Sequence, residues 1–270
     1  VGALPQRTIS LLTDFGHGGG YVGMMKGVIL SINPRVRLVD LGHEVRPQGI
    51  RQAAFLLKTA VPYFPPGTIH VVVVDPGVGT ERRVLAVRSG GAYFVGPDNG
   101  VLSWSIGPDG EVVSVDREDL YRKPTSATFH GRDRMAPVAA RLSLGMPLEE
   151  LGSRVSGWVE LPPPRLETRE GRILGEVLYV DRFGNLITSI PGTLLGECAV
   201  EDVRVQTGSI RIRGLKRTFG DGEVGSPIAY VGSTGFLEIA RVGGSAADSG
   251  CELGSPVSLW REHNQRDLHR

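Results

Sequence analysis

The chain predicts an α/β N-terminal domain, with a mainly parallel central sheet flanked by helices, followed by a small C-terminal β-barrel domain. Three observations carry this. Apolar strand-like runs alternate with helix-period segments up to about residue 145. A stretch with a proline triplet and scattered charges, "GWVELPPPRLETREGR" (157–172), interrupts that alternation. Beyond it come short strands at close intervals, separated by glycine-rich turns. The expected division is therefore 1–160 for the α/β domain, 161–172 for a linker, 173–262 for the barrel and 263–270 for a polar tail.

Each element follows from its own pattern. "RTISLLTDF" and "VRLVDL" read as strands, and "YVGMMKGVILSIN" between them as a helix. "GIRQAAFLLKTAVPYF" places Ala54, Leu57 and Val61 on one helical face. "TIHVVVVD" contains four consecutive valines, the signature of a strand buried on both faces. "RVLAVRS" and "AYFVG" form a hairpin, and "RMAPVAARLSLG" a helix closed by Gly145. In the second half the strands are "ILGEVLYVD", "NLITSI", "VRVQT", "SIRIR", "SPIAYVG", "GFLEIAR" and "SPVSLW".

Bulk properties narrow the function classes. With 270 residues and a formal net charge of +1, the chain has the length for two cores and no polyanion-binding signature, so nucleic acid is not an expected partner. No apolar run approaches the ~20 residues of a membrane helix, and "VGALPQRTIS" lacks the pattern of a signal peptide. Cys198 and Cys251 have neither CxxC nor Cys/His spacing, which suits buried structural thiols in a reducing, cytoplasmic setting.

Ligands of such sheets bind at the carboxyl ends of the strands, where this chain places Asp14, Asp40 and Asp75. "GGGYVG" (18–23) matches G-x-G-x-x-G, but its glycines follow a "TDFGH" extension rather than the strand itself, a weak dinucleotide fingerprint. "GVGTERR" lacks the Lys-Ser/Thr pair of a phosphate-binding P-loop. Asp14, Asp75, Asp98, His130 and Asp133 could be metal ligands by type, yet no histidine pair has ligand spacing, and no metal is expected. His17, His43 and His70 are scattered, and Asp133 suits the start of a helix. What remains is an Asp, an Arg and a His at loop positions on the ligand edge: Asp75, Arg82 (with Arg83 as its rival) and His130 in "TFHGRD". Together these groups can activate a water without a metal.

The stretches "LLTDFG", "YVGMMKGVILSINP", "VDLGHEV", "YFPPGTIHVVVVDPGVGTERR", "YFVGPDNG", "TFHGRD", "PVAARL" and "DRFGNLIT", with an echo at "GSTGFLEIA", resemble the adenosine-forming S-adenosyl-L-methionine (SAM) hydrolases. These are also called SAM hydroxide adenosyltransferases and are relatives of the fluorinase and chlorinase. The resemblance implies a homotrimer whose sites lie between one subunit's N-terminal domain and its neighbour's C-terminal domain, with SAM as substrate and no cofactor. The family's Asp-Arg-His set falls on Asp75, Arg82 and His130. Asp14 matches the aspartate on the ribose hydroxyls, and Phe129 an aromatic beside the sugar and sulfonium. Asp181 is implied toward the methionine amino group, Phe183 and Asn185 around adenine, and Phe219 as a further stacking wall. Ser233 and Glu238 match the barrel's binding strand, with Arg241 offering backbone near adenine. One departure is "HGGG" after "TDFG", where many relatives carry an acid for the methionine end. A SAM-dependent halogenase, a SAM or adenosine sensor and, more distantly, a nicotinamide oxidoreductase are the competing readings.

Overall fold

The computed structural model describes residues 7–195 and 200–262. The chain divides into two compact units, Val1–Pro162 and Pro163–Arg270, each with its own sheet.

In the first unit the elements are β1 (Thr8–Thr13), α1 (Tyr21–Ile32), β2 (Arg37–Gly42), α2 (Ile50–Ala60), β3 (Ile69–Val73), β4 (Val84–Ser89), β5 (Ala92–Pro97), β6 (Glu111–Val115), α3 (Ala136–Ser143) and β7 (Gly152–Arg154). They build a seven-stranded sheet in the order β2-β1-β3-β5-β4-β6-β7. The β2-β1-β3-β5 half is parallel, whereas β5-β4-β6-β7 is antiparallel. The sheet is thus mixed, and the expectation of a mainly parallel one does not hold. The cause is local: β4 and β5 are joined by the two-residue turn Gly90–Gly91, and a two-residue connection can only reverse the chain. β6 and β7, which the sequence reading did not identify, then extend the antiparallel half.

β3 explains why the valine run is uninterrupted. Val71 and Val73 join Ile9 and Leu11 of β1, Met25 and Ile29 of α1, and Val138 and Leu142 of α3. Val72 and Val74 point the other way, into a cluster with Leu12, Phe94, and Ala53 and Leu57 of α2. Both faces of the strand are dry, so the four positions of the valine run are all apolar.

The second unit contains β8 (Leu166–Arg169), β9 (Arg172–Val180), β10 (Leu186–Pro191), β11 (Val203–Thr207), β12 (Ile210–Arg213), β13 (Pro227–Val231), β14 (Phe236–Arg241) and β15 (Pro256–Arg261). The path is β12-β11-β15-β9-β10-β14-β13, with β8 paired to β9. The two edges, β12 and β13, lie against each other, and the Lys216 amide after β12 donates to the Ala229 carbonyl of β13 (2.8 Å), so the sheet nearly closes on itself. Residues 166–169, expected within the linker, are strand β8. Its exposed, alternating "LETR" pairs with β9 through backbone bonds, which composition alone does not reveal. Cys251 is a buried free thiol, whereas Cys198 and the expected tail 263–270 lie outside the described residues. Among the described residues no helix is long and apolar enough to cross a membrane.

One buried histidine tests this packing. His70 on β3 is hydrogen-bonded to Ser10 Oγ (2.7 Å) and stacked on Phe94, and burial pushes its pKa down to about 4. The unfolded chain therefore binds a proton between pH 6.5 and 4 that the folded chain refuses, so stability falls as pH drops through that window. We expect His70→Gln to flatten the pH dependence of the unfolding free energy there by about 1–3 kcal/mol, measured by urea denaturation across pH.

Candidate active site

β3 delivers Asp75 two residues beyond its last strand residue, at the carboxyl edge of the parallel half. The chain then turns tightly: Val78 N donates to Asp75 O (3.2 Å), and Thr80 N and Oγ1 donate to Gly77 O (3.2 and 2.7 Å). Gly79, at φ +84°, is the residue this turn cannot replace, because a β-carbon there would stand 2.9 Å from the Ala127 carbonyl oxygen. The turn returns Arg82 alongside Asp75. Arg82 Nε donates to Asp75 Oδ1 (2.7 Å) and Nη2 to Oδ2, a two-pronged ion pair whose side chains are 9% and 5% exposed. Arg83 goes elsewhere, to Asp98 Oδ2 (2.8 Å) and the Gly157 carbonyl (2.8 Å).

His130 arrives from the other side. It immediately precedes the π-helical turn Gly131–Met135 that leads into α3. Gly131 permits the approach, since a β-carbon there would lie 3.0 Å from Val73 Cγ1 at the end of β3. Arg82 Nη2 donates to His130 Nδ1 (2.9 Å). A guanidinium has only donors, so Nδ1 is the acceptor and the ring proton sits on Nε2. Burial pushes the His130 pKa down to about 4, helped by the charges of Arg134 and Arg82, so the imidazole is neutral near pH 7.

Asp75 and His130 line a cleft of about 320 Å³ together with Asp14, Phe15, Gln48 and Phe129. Asp14 Oδ2 accepts from the Gln48 amide (2.9 Å), which is aimed by a left-handed backbone (φ +64°) at Gln48. Phe15, Tyr21 and Phe129 meet edge-on or tilted, with centroids 5.3–5.7 Å apart, and the Arg132 guanidinium covers Phe129 at 4.9 Å. Phe15 and Gln48 were not singled out from the sequence. The one signal was the Pro-Gln-Gly turn that follows the second strand by four residues, on the same sheet edge.

The other acids have structural partners. Asp40 pairs with Lys26 (2.7 Å) and stands 3.0 Å from His43 Nε2, while Asp98 takes Arg83 and the Val159 amide. Asp133 lies in the first turn of its helical segment, as its sequence position suggests. Its buried carboxylate accepts from Arg132 (2.7 and 2.8 Å) and the Ser126 amide (2.8 Å). Among the described residues no group of three or more His, Cys, Asp and Glu could hold a metal ion.

The second unit carries a separate cavity of about 670 Å³, lined by Phe183, Asn185, Phe219, Ser233, Glu238 and Arg241, six of the positions expected there. Asp181 organises its rim: Oδ1 accepts from the Phe183 and Asn185 amides (2.8 and 2.9 Å) and Oδ2 from Asn185 Nδ2 (2.7 Å). Phe183 is 75% exposed, an apolar ring facing open space. Arg241 spends one guanidinium nitrogen on the Gly225 carbonyl (2.8 Å). Tyr230, which the sequence reading passed over, packs its ring on Phe219 at 5.1 Å and hydrogen-bonds Glu238. Burial raises the Glu238 pKa above the usual carboxylate range, with the Tyr230 bond opposing.

Residues 9–152 match the SAM hydroxide adenosyltransferase N-terminal domain, and residues 175–258 match the SAM hydroxide adenosyltransferase C-terminal domain. This chain belongs to the SAM hydroxide adenosyltransferase family. It is 41% identical over 250 residues to the (R)-S-adenosyl-L-methionine hydrolase of Salinispora tropica, covering 90% of this chain and 94% of that one. The (R)-S-adenosyl-L-methionine hydrolase of Thermus thermophilus is 41% identical over 265 residues (94% and 99%). A fluorinase of Actinopolyspora mzabensis is more distant, at 30% over 274 residues (88% and 92%). Among solved structures, an uncharacterized conserved protein from Thermotoga maritima superposes with a TM-score of 0.87 at 38% identity, over 94% of this chain and 100% of that one.

In this member of the SAM hydroxide adenosyltransferase family, Asp75, Arg82 and His130 form one hydrogen-bonded group, and Asp14 and Phe129 share their cleft. We expect Gly79→Ala to cost about 1–3 kcal/mol in urea denaturation, because it strains both φ and the contact with Ala127.

Proposed function

We infer that this protein is a SAM hydrolase, converting SAM and water to adenosine and L-methionine. The observation that carries this reading is the buried Asp75–Arg82–His130 group at the edge of a cleft that also presents Asp14. In the proposed step the oxygen of a water attacks C5′ of the ribose as the C5′–S bond breaks. The bonding pair passes to sulfur, so the sulfonium leaves as a neutral thioether and needs no proton. The one proton to be removed is that of the attacking water, and Asp75 accepts it. A carboxylate has about four lone-pair directions, so the Arg82 fork leaves Asp75 with acceptor capacity. Arg82 holds Asp75 in place through its two-pronged pair. No general acid, metal or cofactor is required by this chemistry, and none is proposed.

Substrate holding follows the same reading. Asp14 takes the ribose hydroxyls and Phe129 lies beside the sugar and sulfonium. Phe183, Asn185 and Phe219 enclose adenine, with Ser233, Glu238 and the Arg241 backbone completing that wall, and Asp181 faces the methionine amino group. We propose a cytoplasmic homotrimer in which the N-terminal cleft of one subunit, on a sheet flanked by helices, is completed by the C-terminal barrel of its neighbour. The related hydrolases carry the (R) epimer in their names, and we propose that this protein shares that substrate.

The deciding assay offers each sulfonium epimer of SAM to the purified protein with a chelator present, with and without chloride, and identifies products by mass. Adenosine and methionine are expected in every productive arm; a 5′-chloro nucleoside or no product would overturn the reading. Asp75→Asn should lower turnover by about 10²–10⁴-fold with substrate binding retained, because general-base assistance is typically of that size. Arg82→Ala should follow it, whereas Arg83→Ala, which loses Asp98 instead, should retain far more activity.

A further inference from the structure

We propose that Arg134 is a positioning residue of the hydrolytic group: its guanidinium, placed beside His130 without a carboxylate of its own, keeps that imidazole an acceptor for Arg82. The proposal rests on the hydrolase reading for its kinetic consequence only.

Arg134 follows His130 by four positions, His130 capping the π-helical turn that contains Arg134, so both lie on the same side of it. Both also line a polar cavity of about 490 Å³ together with Arg82, and His130 alone of the three also lines the cleft that holds Asp14. The neighbouring cations are each matched: Arg132 is bound to Asp133, Arg83 to Asp98, and Arg82 to Asp75. Arg134 forms no ion pair among the described residues, and its Nε is buried without a hydrogen-bond partner. What fixes it is an aromatic face: the guanidinium sits 5.0 Å from the centroid of Tyr121. That ring is anchored in turn by its hydroxyl, which donates to the Val115 carbonyl (2.8 Å).

A held cation without a carboxylate partner, half-buried with its Nε shut off from water, is an odd feature unless its field is used. A protonated His130 would present a donor at Nδ1 to the Arg82 donor, which breaks that bond and unsettles the fork on Asp75. The charges facing the imidazole are Asp75 and Arg82 from the turn after β3, and Asp133 and Arg134 from its own segment. Asp116, Glu118 and Tyr121 line the same cavity from the segment after β6, with Glu81 from the turn. The two carboxylates favour protonation and the two guanidiniums oppose it, with burial opposing most. Arg134 supplies the opposing charge that is not already spent on a carboxylate.

The test compares wild type with Arg134→Met and Arg134→Lys over pH 4–9. Removing the charge should let His130 protonate at higher pH, so the acid limb of the rate profile moves up. The ratio of turnover at pH 8 to that at pH 4.5 should grow by about threefold in Arg134→Met if His130 rises by one unit from about 4. Arg134→Lys, which keeps the charge, should restore the wild-type profile. In parallel, the His130 ring is titrated by ¹H–¹⁵N NMR in the substrate-free protein, and its midpoint should rise in Arg134→Met but not in Arg134→Lys. Superimposable normalised profiles, or an unmoved His130 midpoint, would overturn the proposal. If the wild type does not hydrolyse SAM, the functional reading fails and the NMR titration still decides the role of Arg134. If Arg134→Met does not fold, Arg134→Gln removes the same charge while retaining polar contacts.

Discussion

An arginine laid two-pronged against an aspartate at the end of a strand buried on both faces is the constraint on which the N-terminal site depends. Burying such a pair is favourable only when its remaining donors and acceptors are placed well. That requirement reaches outward. It demands the tight turn that returns Arg82 to Asp75, the missing side chain at Gly131 that lets His130 close in, and a neutral imidazole to accept from Arg82. The strand itself is rigid because valines pack it on both sides, so the carboxylate has a fixed origin. Position, more than strong acidity or basicity, is what this arrangement offers a reaction whose leaving group needs no proton.

Much of this was legible in the residues because the informative features were local. The valine run, the Asp-Pro-Gly turn and the Gly-Gly hairpin each declare their geometry within a few positions. Other features emerge only when local signals are added up. The hairpin of β4 and β5 is legible from its Gly-Gly turn, whereas the antiparallel half that β6 and β7 build on it depends on pairings between distant segments. β8 was hidden for a different reason: a short, exposed strand held by backbone pairing leaves little trace in side-chain pattern.

The site divides in the same way. Asp75 and Arg82 are seven positions apart, and their pairing follows from a turn. Choosing Arg82 over Arg83 needed either the family resemblance or the coordinates, because adjacent identical residues are separated only by the direction each side chain takes. Phe15 follows Asp14 in "LLTDFG" and Gln48 lies in a Pro-Gln-Gly turn, but that either faces the cleft, or Tyr230 the barrel cavity, follows only from tertiary packing. Asp181 shows the reverse. Its motif was read as a ligand-facing acid, and the coordinates add that both its oxygens already shape the loop that carries Phe183 and Asn185. Such a carboxylate can still meet an ammonium group, but as part of a preformed rim.

Gln48 has a consequence of a different kind. A non-glycine residue held at positive φ costs on the order of 1–3 kcal/mol, and this one persists with its amide turned onto Asp14. Glycine would sit there without strain and still offer the same amide. The molecule thus keeps a side chain at a place where its own backbone would prefer none, on the lining of the cleft that also presents Asp75. For anyone engineering a more durable version of this protein, position 48 is where added stability and lost performance should be expected to meet.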